Sequence, residues 1–305
     1  MITFLVNRLL QLLLVVWGSV TIVFLLLHLS GDPAKLMLSD LATPEQLAAV
    51  QRELGTDQPF VVQYVKFLGR AAVGDFGNSI RQQRPVVTIV LERLPATLQL
   101  AVASVVISTV LGIVFGVAGA VFRRTIYDRL LLVVALLGQS MPPFWLAIML
   151  ILFFAIELRI LPASGSGDWR HFVLPAVTLG AFSLARTARL TRTSMLEVLS
   201  QDYVRTARAK GLAERVVIFV HAFKNAAISV VTVTGFTFST LIGGAVITEA
   251  IFAWPGVGSL LVDGVTLRDY PLVLGAVFAT AVLVAVTNLV VDLLYSWLDP
   301  RIARA

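Results

Sequence analysis

The sequence contains no cysteine. That excludes disulfides, thiolate zinc sites and cysteine nucleophiles, and it leaves the redox compartment open. Histidine is scarce as well: His28, His171 and His221 stand far apart, without the spacing of a metal site. Charge is the third shortage. Only 14% of the 305 residues are Asp, Glu, Lys or Arg, against about 25% in an ordinary soluble domain. No phosphate-binding loop is present: Gly69 and Gly74 have the right spacing, but Asp75 stands where Lys is required. No paired-carboxylate or hydrolase constellation is legible either. What is abundant is apolar surface, at 58% of residues. A chain of 33.1 kDa built this way cannot coat a water-soluble globule, and it reads as one bundle solvated largely by lipid.

A membrane-crossing helix needs about 20 apolar residues, since each adds about 1.5 Å across about 30 Å of hydrocarbon. Residues 9–29, 97–122, 130–156, 228–248 and 272–298 satisfy this, the last interrupted only by Asp292. Residues 172–185 form a shorter stretch that ends in Arg186, Arg189 and Arg192. Charge decides whether it crosses. With six spans, the side holding both termini carries fourteen Lys+Arg and five Asp+Glu, whereas the opposite side holds ten basic residues, seven of them in the long loop 30–95. The positive-inside rule then expects six spans with both termini cytoplasmic. The pI near 10.1 follows from this orientation and gives no reason to invoke nucleic acid. The first apolar stretch is longer than a signal-peptide core, and no small-x-small site follows His28, so it reads as an uncleaved span.

The external loop 30–95 should contain short helices. Thr43-Pro44-Glu45-Gln46 reads as a helix start, with Gly55 as its end. Phe60, Val61, Tyr64, Val65 and Leu68 give an amphipathic helix broken by Gly69, Gly74 and Gly77, and 85–94 a short helix before Pro95. Inside, Ser194 to Glu197 reads as a capping box that opens a helix with one apolar stripe, Leu196, Leu199, Tyr203 and Ala207. Gly211 should end it in a left-handed turn, and 216–223 should form a second amphipathic run. This helix-turn-helix is either a platform for a cytoplasmic partner or a solvated interfacial loop.

Within the spans, Gly112 and Gly116 form a small-xxx-small pair, with Gly119 nearby, that lets helix backbones approach closely. Gly243-Gly244 reads as a hinge or a packing point. Pro142-Pro143 removes two backbone donors and should bend or break its helix, leaving Gln139, Ser140 and Met141 either lining a passage or flanking a kink. Asp292 costs about 2.5–3.5 kcal/mol if placed at a helix centre. Its position near the inner end favours an internal ion pair or hydrogen bond. Glu249, at the outer end of its span, is placed for structural pairing or for meeting a cargo amine. Arg186, Arg189 and Arg192, spaced three apart, share a helical face and should emerge into the cytoplasm, where anionic lipid head groups are the simplest partners.

Several stretches resemble one family. Tyr203-Val204-Arg205-Thr206-Ala207-Arg208-Ala209-Lys210-Gly211-Leu212 looks like the coupling loop of binding-protein-dependent ABC importer permeases, in its dipeptide/oligopeptide form. Of the general Glu-Ala-Ala, three residues, Gly pattern, only Ala207 and Gly211 remain, and Ser229 stands where that branch often has Pro. Gln139 to Trp145, Glu249 to Gly258, Asn288 to Tyr295, Leu298 to Ile302, His28 to Pro33 and Glu92 to Leu98 resemble the same family, so nearly the whole chain is covered. The resemblance implies an all-α membrane protein with six transmembrane helices in the type I ABC importer permease fold. Its expected parts are a first helix at 1–29, an external loop domain at 30–95, and a five-helix core at 96–298 containing the cytoplasmic coupling loop 193–224. A cytoplasmic tail at 299–305 completes it. It further implies a bacterial inner-membrane location, a homologous second permease, two cytoplasmic ATPase subunits or one fused ATPase holding ATP and Mg, and an external binding protein. The chain itself would be no enzyme. Asp202, Tyr203, Arg205, Thr206, Ala207, Lys210 and Gly211 would couple to the ATPase, and Gln139, Ser140, Met141, Pro142 and Glu249 would be passage or gate candidates. Peptide is the expected cargo; nickel chelates, glutathione and opines are carried by relatives with the same motifs. An ion-coupled secondary transporter is the more distant alternative.

Overall fold

The computed structural model describes residues 2–29, 43–45, 48, 51–52 and 56–298. The expected helix residues Gln46 and Gly55, the family-like residues 30–33 and the tail after Leu298 lie outside the described residues. Among the described residues the fold is helical, relieved by a single antiparallel bridge, Asn78 to Pro85. In chain order the helices are α1 (Ile2–Leu29), α2 (Phe60–Ala72), α3 (Val86–Val121), α4 (Ile126–Ser140), α5 (Pro143–Leu150), α6 (Arg170–Leu199), α7 (Asp202–Ala209), α8 (Glu214–Val216), α9 (Phe223–Ile251), α10 (Val257–Thr266) and α11 (Tyr270–Leu298). π-helical turns Ile151–Glu157 and Val217–Ala222 follow α5 and α8.

Three segments are each long and apolar enough to cross a bilayer alone: Val6–Leu26, Val86–Val121 and Tyr270–Leu293. Two bent pairs, Ile126–Ser140 with Pro143–Glu157 and Glu214–Ala227 with Ser229–Gly235, bring the count to five if each is one span. α6 is long enough at 30 residues. Its arginines keep it out of that count, which is the same difficulty the sequence poses at residues 172–185.

The contacts divide the chain into two compact units, one of residues 1–97 and 255–289, the other of 98–254 and 290–305. In the first, α2 lies on α1 through aromatic rings. Phe24 stacks on Phe67 at 4.9 Å and meets Tyr64 at 5.5 Å, and Tyr64 shares a 2.7 Å hydroxyl hydrogen bond with Thr21. The rings of Phe60, Tyr64 and Phe67 meet α1, whereas Val61 and Val65 of the same amphipathic run are exposed. Gly69 does not break α2; Gly74, at φ +76°, ends it, with Gly74 N–H donating to Ala71 O and Asp75 N–H to Arg70 O. Pro95 is no boundary either. The helix expected at 85–94 is the first part of α3, which runs through the proline. Fully buried Asp269 caps α11, accepting Leu272 N–H, while its other oxygen accepts Ser79 Oγ–H and Arg81 N–H.

In the second unit α6 is the axis, with fourteen buried residues. Residues 98–121 of α3 run parallel to it: Gly180 lies against Ser104, Gly112 against Thr187, and Gly116 against Ala188 and Thr191. α4 runs antiparallel, since Asp128 meets Arg192 at one end and Gly138 meets Ala181 at the other. α9 is also antiparallel, Ala222 packing near Met195 and Gly244 near Leu179. Gly243 approaches nothing within 4 Å and Gly244 makes only ordinary contact, so this pair is no close-packing point.

Candidate functional site

The exposed surface after α6 is organised by one short helix. α6 continues through Ser194 to Leu199, so the expected capping box is helix interior, and the break falls at Ser200-Gln201. This break shifts the phase. On α7 the buried residues are Val204 and Ala207, packed on Val217 beside Val198 and Leu199, and Tyr203 is 42% exposed rather than part of the stripe. Asp202, Arg205, Thr206, Arg208 and Lys210 are exposed.

A reciprocal pair of hydrogen bonds closes α7. Gly211 N–H donates to Arg208 O at 2.9 Å and Leu212 N–H to Ala207 O at 3.4 Å, with Gly211 at φ +75°. Both bonds require the left-handed residue that a Cβ disfavours. The expected second amphipathic run, 216–223, passes from α8 through a π turn directly into α9. Side chains tie α7 to this turn. Asn225 Nδ2 donates to Tyr203 Oη at 2.9 Å, and Tyr203 Oη–H donates to His221 O at 3.4 Å. Arg208 grips Glu214 at 2.7 Å, and its guanidinium holds that carboxyl below the ordinary range. Asn225 and Glu214 carried no motif; their partners lie across a turn, a signal that sequence spacing does not contain.

Deeper in the same unit, α4 ends at Ser140 and α5 leaves it at 113°. Pro142 and Pro143 stand four residues after Gly138 and Gln139, so those two carbonyls lose their ordinary helical donors. Gln139 Oε1 is buried without a hydrogen-bond partner among the described residues. Gln139 and Met141 are half-buried, while Ser140 and Pro142 are exposed. Glu249 is fully buried, and its carbonyl accepts Trp254 N–H at 2.8 Å. Asp292 is half-buried. Between this break and the elbow that α7 forms with its turn at Gly211 lies a bidentate ion pair that sequence spacing does not show: Arg192 Nε and Nη2 donate to Asp128 at 2.7 and 2.8 Å, and Arg124 N–H adds a third bond. A single acid in the otherwise basic stretch 123–129 was the available hint. Among the described residues no group of three or more His, Asp or Glu is placed to hold a metal.

Residues 108–304 match the family profile of binding-protein-dependent transport system inner membrane components, and residues 1–101 match the N-terminal profile of the same systems. Glutathione transport system permease proteins GsiC of Escherichia coli K12 and Salmonella typhimurium LT2 are each 41% identical over 303 residues, covering 99% of this chain and 99% of theirs. A crystal structure of an amino acid ABC transporter with histidines superposes with TM-score 0.52 at 15% identity, over 68% of this chain and 92% of that one, which speaks for the fold alone. With coverage from end to end, the chain belongs to the binding-protein-dependent transport family and is a multi-pass inner-membrane permease subunit of an ABC importer, in the branch that includes the dipeptide and oligopeptide permeases.

Proposed function

We propose that this permease imports small peptides by alternating access, driven by ATPase subunits that dock on α7. The observation that carries this is α7 itself: a helix with one buried edge, Val204 and Ala207, and an exposed polar edge. Its end is closed at Gly211 and its Tyr203 is bonded to the start of α9. Force applied to Asp202, Arg205, Thr206 or Lys210 then reaches α9 through Tyr203 and Asn225. ATP and Mg belong to the ATPases, a homologous permease completes the passage, and an external binding protein delivers cargo. Gln139, Ser140, Met141 and Pro142 line the passage at the α4 break, where freed carbonyls are tolerated beside water. Glu249, enclosed in this conformation, meets cargo only after its neighbours separate. Both termini face the cytoplasm, α6 serving as the fourth of six spans, with 30–95 as the external loop, 193–224 as the coupling loop and 299–305 as the tail.

A glutathione-like tripeptide is the cargo favoured by the curated relatives. Replacing Gly211 with Val, in cells that express the complete transporter, tests the coupling role. The expected result is a permease present in the membrane at normal level with uptake of labelled peptide and of glutathione abolished; undiminished uptake contradicts the docking role. Single cysteines in this cysteine-free chain test orientation: Ser39→Cys should react with an impermeant thiol reagent on intact cells and Ser200→Cys should not.

A further inference from the structure

α2 belongs to the stretch expected as an external loop, yet its contacts fix it against a membrane span. Phe24 of α1 meets Phe60 at 5.8 Å, Tyr64 at 5.5 Å and Phe67 at 4.9 Å. About two turns of α2 thus gather on one ring, so the helices cross rather than run side by side. The part of α1 apolar enough to cross a bilayer ends at Leu26. At about 1.5 Å per residue, Phe24 lies about 3 Å inside that end, and Thr21, bonded to Tyr64, about 8 Å inside it. A helix lying in a membrane surface rests with its apolar side about 5–10 Å into the headgroup and acyl boundary.

The side chains of α2 divide to suit that position. Phe60, Tyr64 and Phe67, which meet α1, share their face with buried Ala71. On one flank Val61, Val65, Leu68 and Ala72 repeat at four, three and four positions; on the other Gln63, Lys66 and Arg70 repeat at three and four. At 3.6 residues per turn the two flanks are centred about 160° apart. Val61 and Val65 are 68% and 60% exposed, and they continue an exposed apolar surface of α1, Ile22, Leu25 and Leu26, at the same level. Lys66 and Arg70 are exposed as well, with no acidic partner among the described residues.

We infer that α2 is seated in the bilayer surface, its valine flank against acyl chains and Lys66 and Arg70 against the phosphates of phospholipid head groups. An apolar flank in water would gain nothing from exposure, whereas here it meets the same solvent as the span it crosses. The opposite flank then lies where long basic side chains reach phosphate. The inference depends on neither the cargo nor the direction in which the chain is threaded, because the contacts set depth relative to α1 alone. It takes α2 out of the surface open to a delivering protein.

The absence of cysteine allows one spin label at a time in the full chain, in vesicles of phosphatidylcholine and phosphatidylglycerol. Collision with molecular oxygen, which concentrates among acyl chains, is compared with collision with a soluble nickel chelate, which stays in water. The oxygen-to-nickel ratio at Val61→Cys and Val65→Cys should stand about tenfold above that at Ser200→Cys and approach that at Leu14→Cys within α1. A ratio equal to that at Ser200→Cys puts the flank in water and overturns the seat. Shielding from both colliders, in the chain alone or with the homologous permease added, means cover by protein and overturns it too.

The phosphate contact is read with nickel held on a chelating headgroup lipid. That nickel should broaden the signal of Lys66→Cys and Arg70→Cys and leave Val65→Cys unchanged. Labels at 66 and 70 reached by soluble nickel but not by the lipid-held metal would stand clear of the head groups and contradict the contact.

Discussion

At Gly116 a side chain has nowhere to go; at Gly211 it has open space on every side. A Cβ on Gly116 would lie 2.7 Å from the Ala188 carbonyl oxygen, whereas one on Gly211 would meet nothing within 4 Å. The α3–α6 seam needs glycine because two backbones press together, as small residues allow where lipid supplies no hydrophobic drive between helices. The elbow needs glycine because its backbone is left-handed, at φ +75°. One glycine serves packing and the other serves direction. In this chain the two uses of glycine are kept apart.

Substitutions at four points of the fold probe this division, each read from thermal unfolding of the detergent-purified chain alongside uptake. The largest effect belongs to the ion pair that clamps α4 to α6 beside Gly119, whose added Cβ would meet Arg192 and Asp128 at 3.3 Å. Asp128→Ala leaves Arg192 without its counter-charge and should cost about 3 kcal/mol. Exchanging the two, Asp128→Arg with Arg192→Asp, should recover part of it, and no recovery would mean that the pair's geometry is incidental. Gly116→Ala comes next. Its methyl must push α6 aside, at about 2 kcal/mol; an unchanged melting temperature would show that the seam is looser than these contacts.

Gly211→Ala should cost less, about 1 kcal/mol, all of it backbone strain, and Gly211→Asn less again because Asn tolerates the left-handed region. Uptake should nevertheless fall with Gly211→Ala more than with Gly116→Ala once equal amounts of folded permease are compared. The reverse order would dissolve the distinction between the two glycines. Smallest is Glu214→Gln, which weakens an exposed pair and should cost about 0.5 kcal/mol or less. A larger loss would mean that the Arg208–Glu214 contact holds the elbow rather than trimming it.

Composition carried the fold class because membrane solvation is a local property, visible in any window of apolar residues. The glycines at 112, 116 and 211 were legible for the same reason: each role is set by a short pattern. Helix ends were harder. Ser194 to Glu197 has the chemistry of a helix start, yet Met195 and Leu196 pack against α9 and its approach, and that burial carries α6 past the local signal. The break at Ser200-Gln201 then re-phases α7, so the stripe drawn through Leu199 and Tyr203 picked Tyr203 where Val204 is buried. Pro95 misled in the opposite direction, being tolerated within α3. Contacts distant in sequence, Asp128 with Arg192 and Asp269 with Ser79, leave no mark in spacing, and the first of these is what braces the elbow's supporting helix.

α7 is the place where outside work would enter the bundle. Arg205→Cys carrying a photoactivatable maleimide, in membranes containing the assembled, transport-active complex, tests that contact directly. The prediction is a covalent adduct with an ATPase subunit whose yield changes when ATP is added. Adducts that never contain an ATPase, in a complex still able to import, would contradict it.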